Sequence, residues 1–274
     1  MTESLRSLRV ERGGHSQVVE VVLVGPGKGN ALGPDFWAEA PAVFEALGAD
    51  PAVRAVIVRG EGRHFCYGLD LVAIGPVVLP LVTGGAAERA RLHEVGEGMQ
   101  RAFRAVAACS APVIAAIDGW CIGAGLELAC ACDVRLCTPE AKFSLREVKV
   151  SMVSDLGGLQ RLPFLVGEGH AREMALTGDD VDASAAERMG LVNAVSKDAD
   201  ALLQRARALA GRIAANPPLA VAATKRVMNT RLEDSVNRGL RDALMQNTTV
   251  MPSADFQEAI TAFMERRPPV FEGK

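Results

Sequence analysis

Along the first two-thirds of the chain, short apolar runs alternate with helical patterns in a strand, strand, helix rhythm. Few architectures accept that alternation with short links, and a layered α/β body is the one it implies. Leu8–Val10 and Val18–Val24 flank Gly13-Gly14, which reads as a turn between two extended segments. From Pro34 a helical face follows, with Phe36, Ala40, Phe44 and Leu47 in phase, although Pro41 is expected to kink or divide it. Ala52–Val58 and Pro112–Ile117 read as buried strands, and the segment between them carries a helix over about 88–108. The Gly- and Pro-rich stretch 75–85 is expected to be a mobile loop. Gly119 to Gly125 reads as a glycine turn leading into a helix over 126–132, then strands at Val134–Cys137 and Lys142–Leu145. Gly157-Gly158 opens another turn before a helix at Glu168–Leu176. From Ala199 the pattern becomes helical only, over 199–214, 219–232 and 254–266, broken at Asn216-Pro217-Pro218 and at Pro252. The expected division is an α/β body over 1–198 and a helical region over 199–274, serving oligomerisation or as a lid.

Composition narrows the function classes. A chain of 274 residues, 49% hydrophobic and with net charge −3, is globular rather than disordered, and its balance disfavours a nucleic-acid partner. No apolar run reaches the roughly 18 residues of a membrane span. The polar, charged start from Met1 to Arg12 lacks a signal-peptide pattern, so a cytoplasmic protein is expected. The six cysteines match no zinc or disulfide framework, and the four histidines are scattered, so no metal site is expected. Gly25-Pro26-Gly27-Lys28 lacks the first glycine and the Ser/Thr of a phosphate loop, and Gly123-Ala124-Gly125 lacks the third glycine of a dinucleotide fingerprint.

Three segments carry chemistry. In Ile117 to Glu127 a strand runs through glycines into a helix whose first turn holds an acid, Glu127. Free N–H groups at such a helix start can hold a carbonyl oxygen as it becomes an enolate. The alternative is tight packing with Glu127 exposed against the helix dipole. In Phe143 to Gly158, Glu147 and Asp155 sit among apolar residues. Carboxylates in an apolar pocket transfer protons near neutrality, unless Arg146 or Lys149 pairs with them on a solvated face. Phe65-Cys66-Tyr67-Gly68-Leu69-Asp70 is a bend able to present a second backbone N–H, or merely a turn.

In this order and spacing, together with Asn30-Ala31-Leu32, Gly158 to Pro163, Ala185 to Val192 and the ending Ala262 to Pro268, these segments resemble the crotonase family, the enoyl-CoA hydratases and isomerases. The resemblance implies a spiral of ββα turns with a C-terminal helical region, assembled as trimers or hexamers. It implies an acyl-CoA thioester substrate, no cofactor beyond the coenzyme A the substrate carries, and no nucleic-acid or membrane partner. It places the two backbone donors of an oxyanion hole at Tyr67 and Ala124, and CoA contacts at Lys28, Ala31, Asp70 and Lys225. Glu127 and Glu147 match the two glutamates with which hydratases hold water. Glu147 and Asp155 match the acids of delta(3,5)-delta(2,4)-dienoyl-CoA isomerases, in which the position of Glu127 is an Asp. The reading is syn hydration of a trans-2-enoyl-CoA, with dienoyl isomerisation as the alternative and a non-catalytic acyl-CoA-binding protein as the competing class.

Overall fold

The computed structural model describes residues 5–12, 17–25 and 27–274. The Gly13-Gly14 turn expected from the sequence lies outside the described residues. In chain order the elements are β1 (Leu8–Arg12), β2 (Val18–Leu23), α1 (Pro34–Ala49), β3 (Ala55–Gly60), α2 (Leu71–Thr83), α3 (Ala86–Ala108), β4 (Val113–Ile117), β5 (Trp120–Ile122), α4 (Ala124–Ala131), β6 (Val134–Cys137) and β7 (Lys142–Ser144). They continue with a 3-10 turn (Glu147–Val150), α5 (Gly158–Val166), α6 (Glu168–Thr177), β8 (Val181–Asp182), α7 (Ala183–Arg188), β9 (Ala194–Val195), α8 (Ala199–Ala214), α9 (Pro218–Val250) and α10 (Ala254–Glu265).

The apolar runs form a six-stranded sheet in the order β1-β2-β3-β4-β6-β9. Only β1 and β2 pair antiparallel; the other neighbours are parallel. Parallel strands are covered on both faces, and the two-residue period sorts their side chains. Val56 and Val58 enter the main core with Phe36, Phe44, Phe103 and Leu128. Ala55 and Ile57 point the other way, onto Leu202, Ala206 and Ala210 of α8. A second sheet, β5-β7-β8, stands beside the first, and a bridge from Cys66 to Cys121 brings the 65–70 bend against β5. All six cysteines are free and buried. Burial pushes the Cys66 thiol up to about 12, which leaves it a packing residue. None of the helices among the described residues is long and apolar enough to cross a membrane.

Several elements differ from the sequence expectation. Pro41 neither divides nor ends α1; it is buried within one continuous helix. The stretch 75–85 is not a loop, because α2 runs through Pro76 and Pro80 to Thr83. There Leu81 and Val82 pack with Leu92, Met251 and Phe256, and this burial offsets the hydrogen bonds that the prolines cannot make. The 119–125 turn contains the short strand β5, Gly157-Gly158 leads into α5, and α9 continues to Val250 rather than stopping near 232. In α9 the buried face continues with Val236, Leu240, Ala243, Leu244 and Asn247, which pack against the rest of the fold.

Candidate active site

Two glycine bends cross at the start of α4. Gly68 has φ +86, and a Cβ there would stand 2.8 Å from the Ile122 carbonyl oxygen and 3.3 Å from the Ala124 nitrogen. Gly123 has φ +53, and a Cβ there would stand 2.9 Å from Glu147 Oε1. Only glycine permits both the backbone angle and the approach. Ala124 is the first residue of α4, so its N–H has no acceptor within the helix and faces the 65–70 bend.

The second donor is not where the sequence placed it. The Tyr67 N–H donates to the Gly29 carbonyl at 2.9 Å and is not free for a ligand. In the same bend the Leu32 N–H donates to Gly68 O and the Asp70 N–H to Leu32 O, which turns Leu69 N–H away from that pairing. Among the described residues Leu69 N–H has no backbone acceptor. The free N–H of this bend is therefore Leu69, one residue from the Gly68–Ala124 crossing. A bend's free donor is decided by its long-range partners, here Gly29 and Leu32, so no local signal marks it.

The three acids are gathered. Glu127, on α4, is 1% exposed. Its Oε1 accepts hydrogen bonds from Ser154 Oγ at 2.6 Å, Leu156 N at 3.1 Å and Gly158 N at 2.8 Å. The exposed, dipole-complementing reading of Glu127 is thus excluded. Burial, with the nearby charge of Asp155, pushes its carboxyl up to about 7 against those three donors. Glu147 lies against Gly123, and its Oε2 is enclosed with no hydrogen-bond partner among the described residues. Burial first, then the charges of Glu127 and Asp155, hold it well above the usual carboxylate range. Asp155 is pushed up to about 6 by burial, opposed by a hydrogen bond from Asn247. The basic neighbours that might have neutralised the cluster are engaged elsewhere: Arg146 pairs with Asp180 at 2.5 Å and Lys149 with Asp179 at 2.8 Å. Among the described residues none of the three acids forms an ion pair, although the buried Arg161 of α5 lies close enough to Glu127 for their charges to interact, and acids gathered in this way suit proton transfer near neutrality.

The expected CoA contacts divide. Lys28 is exposed, Ala31 is buried beside it, and Pro26 between them and β2 lies outside the described residues. Asp70 caps α2, its Oδ1 accepting from Ala73 N at 3.0 Å. Lys225 is corrected: it is 7% exposed, and its Nζ pairs with Asp133 at 2.7 Å and donates to Ala111 O at 3.3 Å. It borders a cavity of about 460 Å³, together with Arg104, Arg161 and Arg226, that none of the three acids lines. A buried ammonium committed to the half-buried Asp133 carboxylate is not open to a phosphate. Lys225→Met is expected to lower stability by about 2–3 kcal/mol, through the stranded Asp133, while leaving KM for a CoA thioester unchanged. Chemical denaturation beside a KM measurement checks this; a raised KM without destabilisation would restore Lys225 to the substrate.

Residues 13–274 match the family described as Enoyl-CoA hydratase/isomerase. The chain belongs to that family, the crotonases. It is 41% identical to a Dictyostelium discoideum protein named delta(3,5)-delta(2,4)-dienoyl-CoA isomerase, mitochondrial, over 97% of this chain and 91% of the relative. It is 38% identical to an Arabidopsis thaliana protein named as the peroxisomal isomerase, over 98% of each. A crystal structure of an enoyl-CoA hydratase from Mycobacterium avium superposes with TM-score 0.82 at 28% identity, covering 98% of this chain and 99% of that one. The crotonase chain is an α/β fold and an acyl-CoA-processing enzyme, as the resemblance implied. The cytoplasmic expectation is corrected by the same comparison, because those two relatives are named mitochondrial and peroxisomal. Net charge and the polarity of a dozen residues do not record a compartment.

Proposed function

We propose that this enzyme is a delta(3,5)-delta(2,4)-dienoyl-CoA isomerase, the alternative rather than the first reading of the sequence. The observation that carries it is Asp155: a third acid, held in place by Asn247 and set beside Glu147 and Glu127. The names of the two relatives described above favour the same reading. Moving both double bonds by one carbon takes a proton from C2 and returns one at C6. Those carbons are too far apart for one carboxyl group, so two acids are needed along the chain. Glu147 borders Gly123, next to the Ala124 N–H, and so serves C2, the carbon beside the thioester carbonyl. Asp155 serves C6. The N–H groups of Ala124 and Leu69 hold the enolate oxygen between the two transfers. Glu127 Oε1 already accepts three protein hydrogen bonds, which suits an acid that shapes the loop better than one that grips water. The reaction only relocates protons, so it calls for no redox group or metal.

Separate incubation with 3,5-dienoyl-CoA and 2-enoyl-CoA, followed by mass spectrometry, tests the proposal. The expected result is a dienoyl product of unchanged mass with a new ultraviolet absorbance. Addition of water to the enoyl thioester with no change in the dienoyl one would restore hydration as the function. Self-association belongs to the same reading, because Val227 and Met228 on α9 and Phe263 and Met264 near the C-terminus are exposed apolar residues. Light scattering is expected to give a trimer or hexamer, and a monomer at micromolar concentration would count against it.

A further inference from the structure

The buried stripe of α9 is apolar at Val236, Leu240, Ala243 and Leu244, and then places an amide, Asn247, at 1% exposure. An amide so deep is unfavourable unless its groups are bonded. Asn247 Oδ1 accepts the Val153 N–H at 2.8 Å. Its Nδ2 donates to Val153 O at 2.8 Å and to Asp155 Oδ2 at 2.7 Å. Both Nδ2 hydrogens are used, and no other side chain of that size supplies one acceptor and two donors. From α3, Gln100 Nε2 donates to the Asp155 carbonyl at 2.8 Å and to Leu240 O at 3.0 Å. Gln100 thus holds the main chain of Asp155, whereas Asn247 holds its carboxylate.

We propose that Asn247 is the positioning residue for Asp155: it grips both backbone groups of Val153 and aims the Asp155 carboxylate into the acid cluster. The catalytic meaning rests on the isomerase reading; the hydrogen-bond geometry does not. The titratable groups facing Asp155 are Glu127 of α4 and Glu147 of the 3-10 turn, while α3 and α9 bring the neutral amides Gln100 and Asn247. A donor on Asp155 Oδ2 favours the charged carboxylate, so its removal raises the proton affinity of Asp155 above its present value of about 6.

The test is an infrared titration of protein labelled with 13C at the aspartate carboxyl, the Asp155 band being identified by its loss in Asp155→Asn. In Asn247→Ala the midpoint of that band is expected to rise by about 1–2 pH units. The matching limb of the kcat profile moves with it, kcat falls and KM stays unchanged. Gln100→Ala is expected to lower stability and kcat without moving the midpoint. If Asn247→Ala does not fold, Asn247→Leu keeps the volume of the side chain, loses both donors to Val153 O and Asp155 Oδ2 without adding a charge, and shifts the midpoint in the same direction. An unmoved midpoint in a folded Asn247 variant overturns the proposal. A shifted midpoint in an enzyme that turns over no dienoyl thioester leaves the positioning role intact and sinks the isomerase reading instead.

Discussion

Asp155→Asn is expected to lower turnover of 3,5-dienoyl-CoA by about 10²–10⁴-fold, the usual contribution of a general acid–base group. That corresponds to roughly 2.7–5.4 kcal/mol of transition-state stabilisation. The amide keeps the size of the side chain but can neither give nor take the proton at C6. Glu147→Gln should be equally severe, since C2 then loses its base. The two substitutions should not multiply, because a diene that cannot lose its first proton gains nothing from the second acid. Hydration makes the opposite demand: Asp155→Asn would leave most turnover of a 2-enoyl-CoA in place. Steady-state assays of both variants on both thioesters decide between them, and a near-normal rate of Asp155→Asn on the dienoyl substrate would end the isomerase assignment.

Glu127→Gln is expected to raise stability at pH 8 while impairing the enzyme. The carboxyl of Glu127 is pushed from 4.5 in an unstructured chain up to about 7 by burial. An acid whose folded value is raised contributes stability that is fully present below 4.5 and lost as the pH climbs through about 7. At pH 8 the folded protein therefore carries a buried charge costing on the order of 3 kcal/mol. Glutamine removes that charge and retains an oxygen for Ser154 Oγ and the N–H groups of Leu156 and Gly158. Thermal unfolding should show a midpoint several degrees above wild type at pH 8, with the gap narrowing toward pH 5. A variant less stable at pH 8 would mean that the three hydrogen bonds need a full negative charge.

Much of the sheet was legible because β4 is a continuous apolar run and β2, β3 and β6 are apolar apart from Glu20, Arg59 and Arg135, the near-continuous pattern of parallel strands buried on both faces. The acid cluster was legible too, since carboxylates in apolar segments are conspicuous. What escaped reading was non-local. Helix α2 survives two prolines only because Leu81 and Val82 meet Met251 and Phe256, about 170 residues later along the chain. The length of α9 follows from packing on α3 and α5, and the true free donor of the 65–70 bend follows from what Gly29 and Leu32 bind. Asn247 was the missed residue with a readable signal: one amide in phase with four apolar residues at helical spacing.

The crossing of the two glycine bends separates what is durable in this enzyme from what is adjustable. In the proposed mechanism the groups that polarise the thioester are main-chain N–H groups of Ala124 and Leu69, which every amino acid except proline supplies. No ordinary point mutation at those positions erases them, provided Gly68 and Gly123 keep their angles. The acids at 127, 147 and 155 are side chains, and a single substitution removes the carboxyl group or, between Asp and Glu, moves it by one methylene. A lineage built on this scaffold can therefore wander between neighbouring reactions by single substitutions, with the step common to all of them never interrupted.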